Sequence, residues 1–526
     1  MDCAEVISSL KNRLPGFSAL KVSQYYPDEI CIKVSREAFK GAALALHKIF
    51  SSPVMMLFAV DERKSSGTFA LNAVFVNLKE AQWIILNMDI PEENPCFDSL
   101  AKSMQSAALF EREIQEMFGI LPKANPDLRR MNLHDEVWPQ ENFPLRKDFK
   151  VISAGKLSEY KFNRVEGGGI FEVPVGPVHA GIIGPGHFRF SVAGEPIVNL
   201  ELRLGFAHRG VEKLFEGETC FDALRLSECI CGDSAFAYSV AFTLAVEKIF
   251  GICVPQKAAY LRGIYLELER MYNHVSDIGG IALDVGFSFP AAYASVIKEA
   301  ILQLNEKLTA SRYLKNVNVI GGVCKDIDEV KKRMLLDALK KIKNDFNALV
   351  KMLNSSVSFM DRVDTTGVLI KKTAQDLGVV GLVARASGIC LDLRKYFPGV
   401  YSQAKFKMIT QEGGDVLSRL ELRFSEFVES SRLIEEFALK LSGNLDLQVN
   451  PLLPKQESAL GYVEGARGPV LFWLKTDAQG VILRANVLDP SNHNWPGLAY
   501  AVLGNIIPDF PVCNKSFSLS YAGNDL

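Results

Sequence analysis

Proline placement divides this chain before any other feature does. Pro122, Pro126, Pro139 and Pro144 punctuate residues 121–160. Each removes an amide donor and fixes its own φ, so that density excludes a regular helix or a central strand. The segment is expected to be an ordered, extended arm laid over its neighbour, anchored through Val137-Trp138-Pro139 and Phe143-Pro144-Leu145, with the charged triplet Arg146-Lys147-Asp148 between apolar contacts. Residues before the arm read with strand periodicity and those after it mostly with helical periodicity. The chain is therefore divided into 1–120, the connecting arm 121–160 and a second domain 161–526, in keeping with the several cores that 526 residues need.

Residues 1–120 read as a small α+β unit. Strands are expected at 29–35, 54–60, 68–78 and 81–88, and a helix at 36–50. A hairpin at Lys64-Ser65-Ser66-Gly67 joins the second and third strands. A closing helix at 107–118 is expected to place Glu111, Arg112, Glu113 and Glu116 on its exposed side. No catalytic constellation is visible here, and docking is the expected role.

The second domain opens on Gly167-Gly168-Gly169, Gly176-Pro177-Val178-His179 and Gly184-Pro185-Gly186-His187. These glycines do not form a dinucleotide loop, because no βαβ pattern or Gly-x-Gly-x-x-Gly surrounds them; short β-structure with tight turns is expected instead. His179, His187 and His208 fall within thirty residues of one another in a chain holding seven histidines. Helices follow. In the one after Pro255, the residues Leu261, Ile264, Leu268, Met271 and Val275 make an apolar seam, and Glu267, Arg270, His274 and Asp277 run beside it. In a helix at 415–441, capped by Asp415 and stopped near Gly443, Arg419, Arg423, Glu426 and Ser430 form a second polar stripe. The first stripe is a buried relay, an ion-pair ladder or a solvated helix edge, since burial penalises such groups unless they are paired. Ala384-Arg385-Ala386 and Asp392-Leu393-Arg394 likewise place charge on apolar segments. A mostly helical bundle around a polar cavity or conduit is expected, with short β-structure at its start and end, including a hairpin through Asp477-Ala478-Gln479-Gly480. Arg467, in Gly465-Ala466-Arg467-Gly468, is placed to meet an anion or polar ligand.

Two stretches have the outline of a soft-metal site: Cys229-Ile230-Cys231-Gly232-Asp233-Ser234 and a turn at Asp489-Pro490-Ser491-Asn492-His493-Asn494. Of the ten cysteines, only Cys229 and Cys231 are close, and their one-residue gap chelates poorly, so a four-thiolate site within the chain is excluded. Each lone cysteine otherwise reads as a small buried hydrophobe. Scattered cysteines and a start without export-signal character point to a reducing cytoplasm. A net charge of -2 gives no electrostatic case for nucleic acid. No apolar run approaches the ~20 residues that cross a bilayer, so membrane attachment would have to come through partners.

Taken together, Gly176-Pro177-Val178-His179, Ala207-His208-Arg209-Gly210-Val211-Glu212-Lys213, Leu244-Ala245-Val246-Glu247-Lys248 and Ala384-Arg385-Ala386-Ser387-Gly388 resemble the catalytic subunits of energy-converting NiFe hydrogenases and the quinone-site subunit of respiratory complex I. Phe110-Glu111-Arg112-Glu113-Ile114 and Phe143-Pro144-Leu145-Arg146-Lys147-Asp148-Phe149 resemble the small peripheral-arm subunit of complex I, and the fusion is similar to the formate hydrogenlyase large subunit. The resemblance implies a second domain of the NiFe hydrogenase large subunit type. It also implies a small iron-sulfur partner subunit carrying a 4Fe-4S cluster, antiporter-like and other membrane subunits, and a peripheral place on the cytoplasmic face of the cell membrane.

The four cysteine ligands of the hydrogenases fall at Cys231, Ser234, Ser491 and Asn494, so by resemblance three are replaced and NiFe is not expected. The C-terminal extension removed from such enzymes is also not expected here. Complex I implies a quinone headgroup instead, held by a histidine that matches His187 and a tyrosine whose position holds Gly232. Candidate acceptor-cavity residues are His187, Cys231 and Arg467, supported by His179, His208 and Asp489, with no metal and no tightly bound cofactor. The candidate relay is Glu267, Arg270, His274, Asp277, Arg419, Arg423 and Glu426. Three readings follow: an electron-transfer subunit with a quinone or other small acceptor, a non-catalytic coupling scaffold, or an active hydrogenase with an unusual site.

Overall fold

The computed structural model describes residues 3–14, 16–150, 157–181, 183–397, 399–443, 445 and 457–526. Of the expected arm at 121–160, residues 151–156 lie outside the described residues.

Alternating apolar runs near the start build one sheet from β1 (Lys21–Tyr26), β2 (Glu29–Lys33), β3 (Met56–Glu62), β4 (Thr68–Asn77) and β5 (Gln82–Pro91), in the order β1-β2-β5-β4-β3. Only the β2 and β5 pair is parallel within it. The helix Arg36–Phe50 begins where the Ser35 side chain accepts from the Ala38 amide, and it lays Phe39, Ala42, Ala43 and Leu46 on the sheet. Between β3 and β4 the expected hairpin is a helical turn, Arg63–Ser66, ended by Gly67 at φ 71°.

The opposite face of this sheet is covered by the far end of the chain. Strands Ser458–Glu464, Pro469–Thr476 and Ile482–Leu488 form an antiparallel sheet, with the expected hairpin between its last two members. Phe58 packs on Trp473 with ring centroids 4.8 Å apart, and Trp83 stacks on Phe397 at 5.2 Å. Leu460, Leu471 and Leu488 belong to the same apolar core as β1–β5. The apolar core of the first unit therefore continues into the second. Lys248 ties the joint by reaching Asp28, Glu29 and the Leu460 carbonyl at 2.7 to 2.8 Å.

One expectation about the first unit is overturned. In the helix Ala108–Phe118, Glu111 and Glu116 are buried rather than exposed, and Arg112 and Glu113 are half-buried. Glu111 accepts from Ser99, the Leu100 amide and Asn125, while Glu116 accepts the backbone amides of Met131, Asn132 and Leu133 at 3.0 to 3.2 Å. A proline-rich arm has no ladder for its amides, so Glu116 supplies the missing acceptor for three of them.

The second domain starts with a three-stranded antiparallel sheet, Ile170–Val175, His187–Ala193 and Ile197–Arg203. It continues in helices Ala235–Phe250, Gln256–Asp284, Ser288–Thr309, Glu329–Asn354 and Val416–Lys440. The fold is thus mixed, helix-rich and carries several small sheets. Gln256–Asp284 is the central helix, packed on Ala235–Phe250, Ser288–Thr309 and Val416–Lys440. Asp415 caps the last of these as expected, accepting from the Ser418 amide, but that helix ends at Lys440, before Gly443. The stretch 489–494 is not a turn: Asp489 accepts from the Ser491 amide as the cap of a helix, Pro490–Ala501, whose first position takes proline.

Candidate functional site

The turn at 231–234 is held from the central helix. Helix Ala235–Phe250 begins directly after it, and its first free amides, Phe236 N and Ala237 N, donate to the Glu269 carboxylate at 2.8 and 3.0 Å. Burial pushes Glu269 up to about 8. The Asp233 carbonyl accepts from Tyr272 Oη and Asn273 Nδ2, each at 2.8 Å. Because those partners lie on one helix, the turn moves only with it.

Arg467 closes over this turn. Its Nη1 and Nη2 meet the two Asp233 carboxylate oxygens at 2.8 and 2.7 Å, Nη1 also reaches Ser234 Oγ at 2.9 Å, and Nε donates to the Ser518 carbonyl. This is the paired fork geometry in which guanidinium binds carboxylate best. Burial opposes ionisation of Asp233, but the Arg467 charge and hydrogen bonds prevail and hold its carboxyl well below the usual range. Beside the pair lies a cavity of about 380 Å³ whose polar wall includes His179, Asp233, Asp277, Arg467 and Lys515. Apolar side chains such as Phe188, Phe510 and Leu519 complete it.

The thiol of Cys231 is buried and does not line that cavity. It donates to Asp233 Oδ1 and shares a hydrogen bond with Ser520 Oγ, both at 3.1 Å. Burial and the Asp233 charge push this thiol far above its ordinary range, so it stays protonated. Ser520 N in turn donates to Ser491 Oγ at 2.8 Å. Asp489 accepts the Tyr238 hydroxyl as well as the Ser491 amide. Asn494 is spent on the backbone of one residue, accepting the Val380 amide at 2.9 Å and donating to the Val380 carbonyl at 3.2 Å.

The expected grouping of His187 with Cys231 and Arg467 is not what the structure shows. His187 packs against Phe162 with tilted rings and centroids 5.2 Å apart, its Nδ1 lies 3.3 Å from the Gly176 carbonyl, and its Nε2 is buried without a partner among the described residues. It does not line the cavity beside Arg467. His179 does, although its Nε2 is bound to the Gly186 carbonyl at 2.7 Å. His208 lies elsewhere, its Nδ1 2.6 Å from the Asp525 carbonyl. The reason is local: His187 opens a strand, and side chains alternate faces along it.

The polar stripes resolve into three groups. Glu267, Arg270, His274 and Glu426 are fully buried and joined, with Arg270 Nε 3.2 Å from Glu267 and His274 Nε2 2.9 Å from Glu426. Arg423 pairs with Asp277 at 3.1 Å, and Asp277 also receives Ser518 Oγ at 2.8 Å. Arg419 stands apart, donating to Ser516 Oγ and to the Gly414 and Gly367 carbonyls at 2.7 to 2.9 Å, and burial lowers it to about 10. Four members of the network were not among the candidates: Arg385, Asp392, Arg394 and Glu464. Arg385 bonds Glu426 at 2.9 Å and Glu464 at 2.8 Å; Arg394 forks onto Asp392 and reaches Glu267 at 3.2 Å. The available signal was arginine and aspartate on the apolar segments around 384–394, but no helical period linked them to Glu464 on its strand.

Comparison with known proteins places the chain. Residues 32–154 match the family "Respiratory-chain NADH dehydrogenase, 30 Kd subunit" and residues 284–450 the family "Respiratory-chain NADH dehydrogenase, 49 Kd subunit". Formate hydrogenlyase subunit 5 of Escherichia coli (strain K12) is 32% identical over 483 residues, covering 89% of this chain and 84% of that protein. This chain belongs to the hydrogenase and complex I family that fuses those two units. Hydrogenase-4 component G of the same organism is 31% identical, covering 99% of this chain and 92% of that protein. A chain from the membrane-bound sulfane sulfur reductase, an archaeal respiratory membrane complex, shares the fold with a TM-score of 0.64 at 25% identity, over 68% of this chain and 98% of that one. Among the described residues, no helix is long and apolar enough to cross a membrane.

A family member of hydrogenase type implies a NiFe group, and the residues here do not fit one. The four matching positions offer one protonated thiol, two hydroxyls and an amide, each bonded to protein. Soft metals select thiolates, which this set does not present.

Proposed function

We propose that this chain is an electron-transfer subunit of a membrane-associated, complex I-like, hydrogenase-related complex that couples redox chemistry to ion translocation, with a small acceptor such as a quinone headgroup in place of NiFe. It sits peripherally on the cytoplasmic face, held by a small iron-sulfur subunit that carries the 4Fe-4S cluster and by antiporter-like membrane subunits. The observation that carries this reading is the run of ionisable side chains leading inward from the cavity, partly exposed at Asp233 and Asp277 and buried from Arg423 onward. Arg467 binds Asp233 and the Ser518 carbonyl, Ser518 Oγ binds Asp277, and Asp277 binds Arg423. On the central helix His274 follows Asp277 at one-turn spacing and opens the network through Glu426 to Arg385 and Glu464.

Chemically, the cavity wall carries two cations, Arg467 and Lys515, that can answer negative charge on a reduced acceptor, and three carboxylates, Asp233, Asp277 and Asp284, beside them. The network behind it responds to that charge. Burial and nearby Asp392 push Glu464 up to about 7, while burial lowers His274. Glu464 is thus the carboxylate of this ion-paired array held nearest to neutrality, where a change of charge in the cavity acts on its protonation most readily.

A coupling subunit with no acceptor of its own is the second reading, favoured by one observation: Cys231 and His187 do not open on the cavity beside Arg467. Metal analysis and quinone extraction on the complex, purified from its own membranes, separate the readings. The expected result is bound quinone and no nickel. Nickel near one per complex overturns the proposal, and absence of both nickel and quinone establishes the coupling reading instead.

A further inference from the structure

A second cavity, of about 220 Å³, lies where the two units and the arm meet. Its walls come from the helix Ala108–Phe118, from residues 129–132 of the arm, from the strand Ile197–Arg203 and from the helix Pro490–Ala501. It is separate from the cavity beside Arg467 and shares no lining residue with it.

Two features of its wall point to a ligand. Four arginines line it, and acids answer them unequally. Arg129 is fully engaged, forked onto Asp127 and bound to Glu201, and Arg130 donates to the carbonyls of Trp138, Pro139 and Gln140. Arg112 uses Nε on the Arg129 carbonyl and Nη2 on the Arg130 carbonyl at 3.5 Å, and it has only a long 3.5 Å contact to Asp127. Arg203 spends Nη2 alone, on Glu136. Both side chains are nearly buried, at 13% and 12% exposed, so their remaining donors have little water to meet. The second feature is a set of orphaned polar atoms. Arg203 Nε, Trp495 Nε1 and Asn524 Oδ1 are buried without partners among the described residues, and all three side chains line this one cavity. Buried donors without acceptors are rare in folded proteins, and two of these three are donors.

We propose that this cavity binds a small organic oxyanion, its charged oxygens held by Arg112 and Arg203 and its carbon skeleton lying on Leu200, Leu202 and the Trp495 ring. Arginine is suited to that task because its planar fork matches two oxygens at once. The apolar wall selects against a bare inorganic ion, which gains nothing from covering Leu200. Occupancy joins the first unit to the helix that carries Ser491 and Asn494.

Trp495 supplies the readout. Full-length protein is titrated with butyrate, with inorganic phosphate and, as an ionic-strength control, with chloride, while indole fluorescence is recorded; Trp495→Phe identifies the signal. Butyrate is expected to change the Trp495 signal saturably at concentrations where chloride does nothing, and to bind more tightly than phosphate. Arg203→Gln is expected to weaken binding about tenfold or more. Ala499→Leu, which fills the cavity without removing a charge, is expected to abolish it. A wild-type titration with no saturable change overturns the proposal whatever the variants do. So does phosphate binding as tightly as butyrate, or butyrate binding unaltered in Ala499→Leu.

Discussion

Arg385→Met tests whether the buried charges form one balanced array. Arg385 is fully buried and its Nη1 and Nε reach Glu464 at 2.8 Å and Glu426 at 2.9 Å, with Asp392 3.5 Å away. Without it, Asp392 keeps the Arg394 fork and Glu426 keeps His274, but Glu464 keeps only the Leu393 amide. Methionine restores the volume and not the charge. Removing one partner of a buried pair costs about 3–5 kcal/mol, because the other is left as an uncompensated ion. For a cooperative unit the size of the second domain, that lowers the thermal midpoint by about 4–6 °C.

The pH dependence of that deficit carries the sharper test. Burial opposes ionisation of Glu426, but Arg385 and His274 hold it well below the usual carboxylate range. In the wild type this group therefore contributes stability that is present above its unfolded pKa and lost as pH falls through the depressed one. Glu464, raised to about 7, behaves oppositely, and its contribution falls as pH climbs toward that value. In Arg385→Met both carboxylates are raised and take up protons, so the deficit is largest at pH 8 and shrinks on acidification, by up to about 1.4 kcal/mol per pH unit for each extra proton. Thermal unfolding of wild type and variant by circular dichroism at pH 8 and pH 5.5 measures it. A midpoint change under about 1 °C at pH 8, or a deficit that grows at pH 5.5, refutes the reasoning.

Two further substitutions probe the positions around the candidate site. Asn494→Ala leaves the buried Val380 amide without its acceptor and the Val380 carbonyl with only the Ala384 amide at 3.4 Å, and is expected to cost about 1–3 kcal/mol, read as a lower urea midpoint with an unchanged slope. Gly461→Ala is expected to cost about 3 kcal/mol or more, since a Cβ there would stand 1.9 Å from the Ala241 carbonyl oxygen, backbone against backbone. Limited proteolysis that leaves Gly461→Ala as resistant as wild type contradicts that close approach.

Much of the fold was legible because it follows from local chemistry. The Asp415 cap and the hairpin through Asp477-Ala478-Gln479-Gly480 are each determined by a few neighbouring residues. The errors share one cause, the tertiary partner. Glu111 and Glu116 sit at solvent-like spacing, yet the arm brings bare amides to Glu116, and Ser99, the Leu100 amide and the Asn125 side chain converge on Glu111. The stretch from Asp489 looked like a chelate turn because a capping aspartate, a proline and small polar residues open turns and helices alike. His187 could be matched by order along the chain, but the facing of its strand was invisible until the register with Ile197–Arg203 was known. Arg385 and Glu464 are 79 positions apart, so no periodicity could pair them.

The same comparison explains how the site holds together without thiolate ligands. A metal bound by the four positions would tie the turn at 231–234 to the helix Pro490–Ala501. Here hydrogen bonds make that tie through a third segment: Cys231 to Ser520, Ser520 to Ser491, and Ser491 back to Asp489. Arg467 adds a second route, clamping Asp233 and the Ser518 carbonyl together. The contact between Cys231 and Asp233 requires a neutral thiol, since a thiolate would face the carboxylate across a hydrogen bond with no proton to fill it. Burial enforces that neutral state. A chain carrying one restored cysteine, such as Ser491→Cys, would therefore lose the Ser520 bond without gaining a ligand set, because the remaining positions stay committed to protein. The closed arrangement is self-consistent, and it changes only if several of its members change together.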